Sequence, residues 1–188
     1  ADGPWLTREL AIWIVGAGAA IYLVTDMTRL SDPSMNRRFV RVFRVLLRPS
    51  EVRAPTGTSY YLLGAFLSIL LFSPVVAIAA ILFLVFGDFP AALVGTSVGR
   101  IRIFPPRTLE GSAGCLLACL AVGIALFWHV KPVWPVAVAL AFVGAAAATV
   151  AEGAPWRLND NLTIPLVSGL ALRFAARGLG VVELPLPW

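Results

Sequence analysis

Six apolar runs, at about residues 10–24, 60–72, 75–86, 113–128, 133–150 and 162–176, decide what this 188-residue chain can fold into. Composition agrees, with 59% of residues hydrophobic and 13% charged, where soluble domains run to about a quarter charged. A soluble enzyme, a disordered chain and a disulfide-stapled secreted domain are all excluded. Six Trp and eleven Phe suit a surface that meets lipid, with aromatic anchors near the interfaces. The expectation is an all-α integral membrane protein, one polytopic domain over residues 1–188.

Several runs fall short of the ~20 residues that a bilayer crossing takes, reaching ~20–24 Å of helix. Only Ser73-Pro74 separates the second run from the third. Proline favours a stop or a kink, so a tight hairpin is expected there rather than one long kinked helix. Charge provides the test. With the N-terminus outside, the inner loops are 25–59, 87–112 and 151–161. They hold Arg29, Arg37, Arg38, Arg41, Arg44, Arg48, Arg53, Arg100, Arg102, Arg107 and Arg157, eleven of the fifteen cations. The positive-inside rule asks for such a bias, whereas a five-helix path puts the first two basic loops on opposite faces. About six transmembrane helices follow.

Within the first inner loop, Phe39, Val42, Phe43, Leu46 and Leu47 recur at helical spacing opposite Arg37, Arg38, Arg41, Arg44 and Arg48. Residues 35–47 read as an interfacial amphipathic helix on anionic headgroups, or simply as a positive-inside anchor. The net charge of +5 does not point to nucleic acid, because the cations sit in loops between apolar runs. Cys115 and Cys119, one helical turn apart, read as small packing residues. There is no GxxxxGK[ST], and the sole Lys131 and sole His129 fall on the outer face. A P-loop, a histidine-built zinc site and a His-paired nucleophile are therefore excluded. Asn161-Leu162-Thr163 fits a glycosylation sequon but stays unmodified on an inner face. Ala1-Asp2-Gly3-Pro4 has no basic region and no cleavage site, so no signal peptide is expected. Small residues at 144–148 would permit close helix contacts, including those of a homo-oligomer.

Asp88, Glu110, Glu152 and Asp160 fall at the expected inner ends of the helices, each beside Gly, Asn or Arg. One membrane face thus gathers carboxylates, glycines and arginines, which is what a metal–phosphate ligand needs. Hard oxygens hold Mg²⁺ against phosphate, Arg forks bind phosphate oxygens, and glycine lets backbone N–H groups approach closely. The plainer alternative makes Asp160 or Asn161 a cap for the helix starting at Leu162, and Glu110 a first-turn acid. Gly95-Thr96-Ser97-Val98-Gly99 has GxxxG spacing, but Arg100 and Arg102 follow it, which favours a phosphate-contacting turn over a helix-packing face.

Three blocks in order carry a resemblance. They are Gly87-Asp88-Phe89-Pro90-Ala91-Ala92-Leu93-Val94-Gly95 with Gly99-Arg100, then Arg107-Thr108-Leu109-Glu110-Gly111-Ser112, then Asn159-Asp160-Asn161-Leu162-Thr163-Ile164-Pro165. Upstream, Glu51-Val52-Arg53 and Thr56-Gly57-Thr58-Ser59-Tyr60-Tyr61 join them. Over about residues 48–172 the chain resembles the CTP-dependent lipid kinases (dolichol kinase, phytol kinase and the CTP-dependent diacylglycerol kinases), which are akin to phosphatidate cytidylyltransferase. Two positions depart from that pattern. The family commonly has Lys where Arg107 stands, and Asp-Asp-Asn where this chain has Asn159-Asp160-Asn161.

The resemblance implies transfer of the γ-phosphoryl of CTP to the hydroxyl of a lipid alcohol such as diacylglycerol or a polyprenol. Asp88 and Asp160 would hold Mg²⁺, with Glu110 or Glu152 assisting, and Asp88 would accept the alcohol proton. Arg100, Arg102 and Arg107 would neutralise phosphate charge, while Gly95, Gly99 and Asn161 would complete the nucleotide site. The lipid would enter laterally between helices, and the site would face the cytoplasm from a bacterial inner or plasma membrane. The alternatives are cytidylyl transfer to a lipid phosphate, and a non-catalytic membrane protein or transporter with its acids at mid-membrane.

Overall fold

The computed structural model describes residues 7–130, 133–155 and 158–181, so residues 1–4, Lys131 and Arg157 of the sequence reading lie outside it. Each apolar run is a helix. The helices are α1 (Arg8–Ser31), α2 (Pro33–Phe43), α3 (Gly57–Leu71), α4 (Pro74–Ser97), α5 (Leu109–Val130), α6 (Trp134–Gly153) and α7 (Asp160–Gly178). A 3₁₀ turn at Pro49–Val52 precedes α3. A hairpin of β1 (Arg102–Phe104) and β2 (Arg107–Thr108) joins α4 to α5, a small departure from an all-α chain.

Helix breaks follow local chemistry. Ser73 is extended and Pro74 opens α4, where its missing N–H costs nothing, so the hairpin forms where expected. Thr7, Asp32, Thr56 and Asn159 cap α1, α2, α3 and α7 by accepting from backbone N–H groups one turn in. Among the described residues four helices, α1, α4, α5 and α6, are long and apolar enough to cross a membrane. With 15 residues, α3 reaches about 22 Å, short of a ~30 Å hydrocarbon core. The 19-residue α7 carries Asp160, Arg173 and Arg177.

One difference matters for the site. The expected inner loop 87–112 is helical through Ser97, so Asp88 and Gly95 lie within α4 rather than beyond its end. Pro90 did not stop the helix, although it lacks the N–H that would bond the Phe86 carbonyl. Side-chain packing explains why. Gly87, Ala91 and Gly95 recur every four residues on α4, and Gly111, Cys115, Cys119 and Gly123 do so on α5. The two small-residue ridges lie against each other: a Cβ at Gly87 would meet Cys119 Sγ at 2.8 Å, and one at Gly111 would meet the Ala91 carbonyl at 2.8 Å. Such close approach is how helices associate where lipid removes the hydrophobic drive. A larger residue at 111 would push against backbone, and overpacking of that kind costs about 1–3 kcal/mol. Gly95 packs against Thr108 and Gly111 within α4, and Gly99, just beyond the helix, packs against Thr108 and the Gly95 carbonyl. The two cysteines are buried there as small packing residues, as expected.

The same contacts set helix directions. Phe83 meets Gly123 and Gly144, and Gly144 meets Leu172, so α4 runs antiparallel to α5, α5 to α6 (Gly123 against Ala141), and α6 to α7. Gly144, Ala145 and Ala148 are buried inside the chain, where Gly144 meets Phe83 and Leu172. At the far end, Arg8 donates to the Ile69, Leu70 and Phe72 carbonyls that end α3, and Arg173 donates to Leu71 O. The near end gathers α2, the 3₁₀ turn, the hairpin and the termini of α4–α7.

Candidate functional site

A cavity of about 540 Å³ opens at that near end. Asp88 comes from α4, Arg107 from β2, Glu152 from the last turn of α6, Asp160 from the first position of α7, and Arg48 from the residue before the 3₁₀ turn. The hairpin places Arg107 at the centre. Its Nη2 donates to Asp160 Oδ2 at 2.6 Å, its Nε lies 3.6 Å from Glu152 Oε1, and its Nη1 donates to the Ala154 carbonyl. One guanidinium therefore joins the end of α6 to the start of α7 and satisfies a carbonyl that the helix itself leaves open. The N-terminal dipole of α7 points into the same space, and Asp160 at its first position is favourably placed against it.

Five of the expected positions thus converge: Asp88, Gly95, Arg107, Glu152 and Asp160 all line the cavity. The others do not. The Glu110 carboxylate accepts from Ile101 N at 3.2 and 3.3 Å, fastening the hairpin base to α5 instead of standing as a ligand. Arg100 and Arg102 are exposed and lie off the cavity wall, as does Gly99. Asn161 donates from Nδ2 to Gly57 O at 2.9 Å and borders a neighbouring cleft. Asn159, not Asp160 or Asn161, is the cap of α7: its Oδ1 accepts from Asn161 N at 3.0 Å.

Sequence reasoning missed Arg48, which was counted only as part of a basic helical face. It also missed Thr108, whose hydroxyl accepts from Gly111 N at 3.1 Å and starts α5. The signal for Arg48 was present. Glu51 stands three residues on, and its Oε2 accepts from Arg48 N at 2.8 Å while Oε1 accepts from Gly57 N at 2.6 Å. That carboxylate holds the arginine's backbone and the start of α3 together.

Among the described residues no three acidic, histidine or cysteine side chains stand close enough to form a metal cage. The donor set nevertheless suits a cation carried by phosphate. Glu152 Oε2 is buried without a hydrogen-bond partner among the described residues, and Asp160 and Asp88 share its cavity. Mg²⁺ takes one or two carboxylates and completes its shell with waters and phosphate oxygens.

A helical membrane protein with acids and arginines gathered in one cavity at a single end is the class that fold and site define. Known proteins narrow it. The chain is 28% identical over 162 residues to CTP-dependent diacylglycerol kinase 1 of Schizosaccharomyces pombe, covering 78% of this chain and 72% of that one. It is 28% identical over 172 residues to CTP-dependent diacylglycerol kinase 1 of Eremothecium gossypii, 79% of this chain but about half (53%) of that one. It is 27% identical over 168 residues to uncharacterized protein RP860 of Rickettsia prowazekii, covering 87% and 79% of the two chains. No family model and no solved structure matches the chain. The two kinase relatives support the CTP-dependent lipid kinase family, which the three sequence blocks also indicate.

Proposed function

We propose that this protein is a membrane lipid kinase that moves the γ-phosphoryl group of CTP onto the hydroxyl of a lipid alcohol, with diacylglycerol the first candidate. The observation that carries this reading is Arg107 held between Asp160 and Glu152 in a cavity that Asp88 and Arg48 also line. Phosphoryl transfer needs in-line positioning and charge neutralisation more than covalent chemistry, and this cavity supplies both signs of charge.

Arg107 and Arg48 would take up the phosphate oxygens, Arg107 exchanging part of its hold on Asp160 for the incoming anion. That exchange frees Asp160 and Glu152, whose oxygens would hold Mg²⁺. Bound there, Mg²⁺ would supply Lewis-acid neutralisation of phosphate charge. Asp88 would accept the hydroxyl proton as the lipid oxygen bonds to the γ-phosphorus and the β–γ bridge breaks, releasing CDP. The cavity end faces the cytoplasm of a plasma membrane in this scheme, where nucleotides reside. A single cysteine at Ser97, in a protein lacking Cys115 and Cys119, should therefore resist an impermeant thiol reagent in intact cells. Labelling from outside would reverse the orientation.

The direct experiment incubates the purified protein with Mg²⁺, CTP labelled at the γ-position and diacylglycerol or a polyprenol. Label in the lipid with stoichiometric CDP is the expected result. Pyrophosphate release with a cytidylyl lipid from a phosphorylated acceptor would establish the transferase alternative instead.

A further inference from the structure

Beside the phosphate cavity lies a second cleft of about 340 Å³, bounded by α1, α2, the 3₁₀ turn and the starts of α3 and α7. Its walls are mixed. Tyr22, Phe43, Leu46 and Leu47 give an apolar mouth, three of them exposed, and Glu51, Thr58 and Asn161 give polar groups. The mouth is open: Phe43, the last residue of the basic amphipathic helix α2, is 41% exposed, and Leu46, in the turn after it, is 79% exposed. Arg48 lines both spaces, so the cleft meets the phosphate cavity at a cation.

We infer that this cleft is the acceptor site, taking the glycerol and upper acyl segments of a diacylglycerol with its hydroxyl directed toward Arg48. The inference deepens the kinase reading above and rests on it for the identity of the lipid. A neutral head with ester oxygens and one hydroxyl matches the Thr58 hydroxyl and the Asn161 amide, while acyl methylenes match the aromatic and leucine mouth. The nucleotide fits this space worse: its triphosphate would meet the Glu51 carboxylate, and its polar base would lie in an apolar mouth. Leu46 is the more exposed of the two, whereas Phe43 also packs on the Phe39 ring, 4.7 Å between centroids. The Leu46 contribution is therefore the one separable from stability.

Two measurements test this. In mixed micelles, Leu46→Ala and Phe43→Ala should each raise KM for diacylglycerol by about tenfold, the loss expected for a few methylene contacts. KM for CTP should stay at the wild-type value in both, and the melting temperature should stay there in Leu46→Ala. A raised KM for CTP with an unchanged KM for lipid would assign the cleft to the nucleotide and overturn the proposal. Independently of any activity, a diacylglycerol carrying a diazirine in one acyl chain is photolysed with the full-length protein in phosphatidylcholine nanodiscs without nucleotide. Cross-links within residues 39–58, competed by excess diacylglycerol and absent with a matched phosphatidylcholine probe, are expected. Cross-links confined to α4–α6, or not competed, would overturn the acceptor site. A wild-type protein that cross-links at 39–58 but phosphorylates no lipid would instead reject the kinase reading and leave the diacylglycerol site standing.

Discussion

Asp160→Asn is expected to lower turnover by about a hundredfold or more while leaving the fold intact. The substitution keeps an oxygen that can accept from Arg107 Nη2, now 2.6 Å away, but removes one negative charge from the cavity. If Asp160 serves the metal and phosphate chemistry, losing that charge weakens both cation binding and neutralisation in the transition state, effects worth several kcal/mol. Its structural contribution is much smaller. The cap of α7 is Asn159, so Asp160 adds the favourable placing of an acid on a helix dipole, about 0.3–1 kcal/mol, and a part-exposed ion pair with Arg107 whose hydrogen bond asparagine keeps. A large loss of rate therefore cannot come from unfolding. Asn159→Asp makes the control, because an aspartate caps as well as asparagine. It should retain stability and activity and reduce the Mg²⁺ concentration needed. Initial rates against Mg²⁺, with thermal unfolding alongside, decide the matter; a fully active Asp160→Asn protein would remove that residue from the site.

Much of this arrangement was legible in the sequence because it follows from periodicity and charge. The apolar runs became helices, Ser73-Pro74 became a break, and Asp88, Arg107, Glu152 and Asp160 met in one cavity. What the sequence hid was decided by packing between helices. Proline at 90 and the glycines at 87, 95 and 99 look like a loop when read along the chain. All but Gly99 stay within the helix, which runs through Ser97, because the matching ridge on α5 needs small residues opposite it. Glu110 illustrates the reverse error. An acid in a basic loop looks like a ligand, yet two bonds to Ile101 N turn it toward the hairpin base. Arg48 was hidden because its position depends on Glu51 clamping two backbone N–H groups, a tertiary detail that composition cannot report.

The second large effect lies in a buried ion pair that the charge pattern along the chain does not single out. Asp26→Ala is expected to destabilise the protein by about 3–5 kcal/mol, because it strands a buried cation. Asp26 and Arg29 are 2% and 0% exposed near the end of α1, with Arg29 Nε donating to Asp26 Oδ1 at 2.6 Å. The other carboxylate oxygen accepts from Thr56 N at 2.7 Å, Thr56 Oγ1 at 3.0 Å and Ser59 Oγ at 2.6 Å, so alanine also orphans three donors at the start of α3. Arg29 continues the network to Asn36 Oδ1, Glu51 O and Ala54 O and lies over the Phe39 ring. Asp26→Asn, which keeps an acceptor, should fall between alanine and wild type. Removing both charges with Asp26→Leu and Arg29→Met should recover part of the loss, since a buried pair replaced by apolar groups is often close to neutral. Recovery should stop short of wild type, because the Glu51 and Ala54 carbonyls then lack their donor. Thermal unfolding in detergent of wild type, Asp26→Leu, Arg29→Met and the double variant forms a double-mutant cycle whose coupling term measures the pair itself. Additive losses would mean that the two residues act separately. The same cycle read by lipid KM follows the consequence for function, because the backbone that Arg29 pins carries Glu51, and Glu51 holds Arg48 where the two cavities meet.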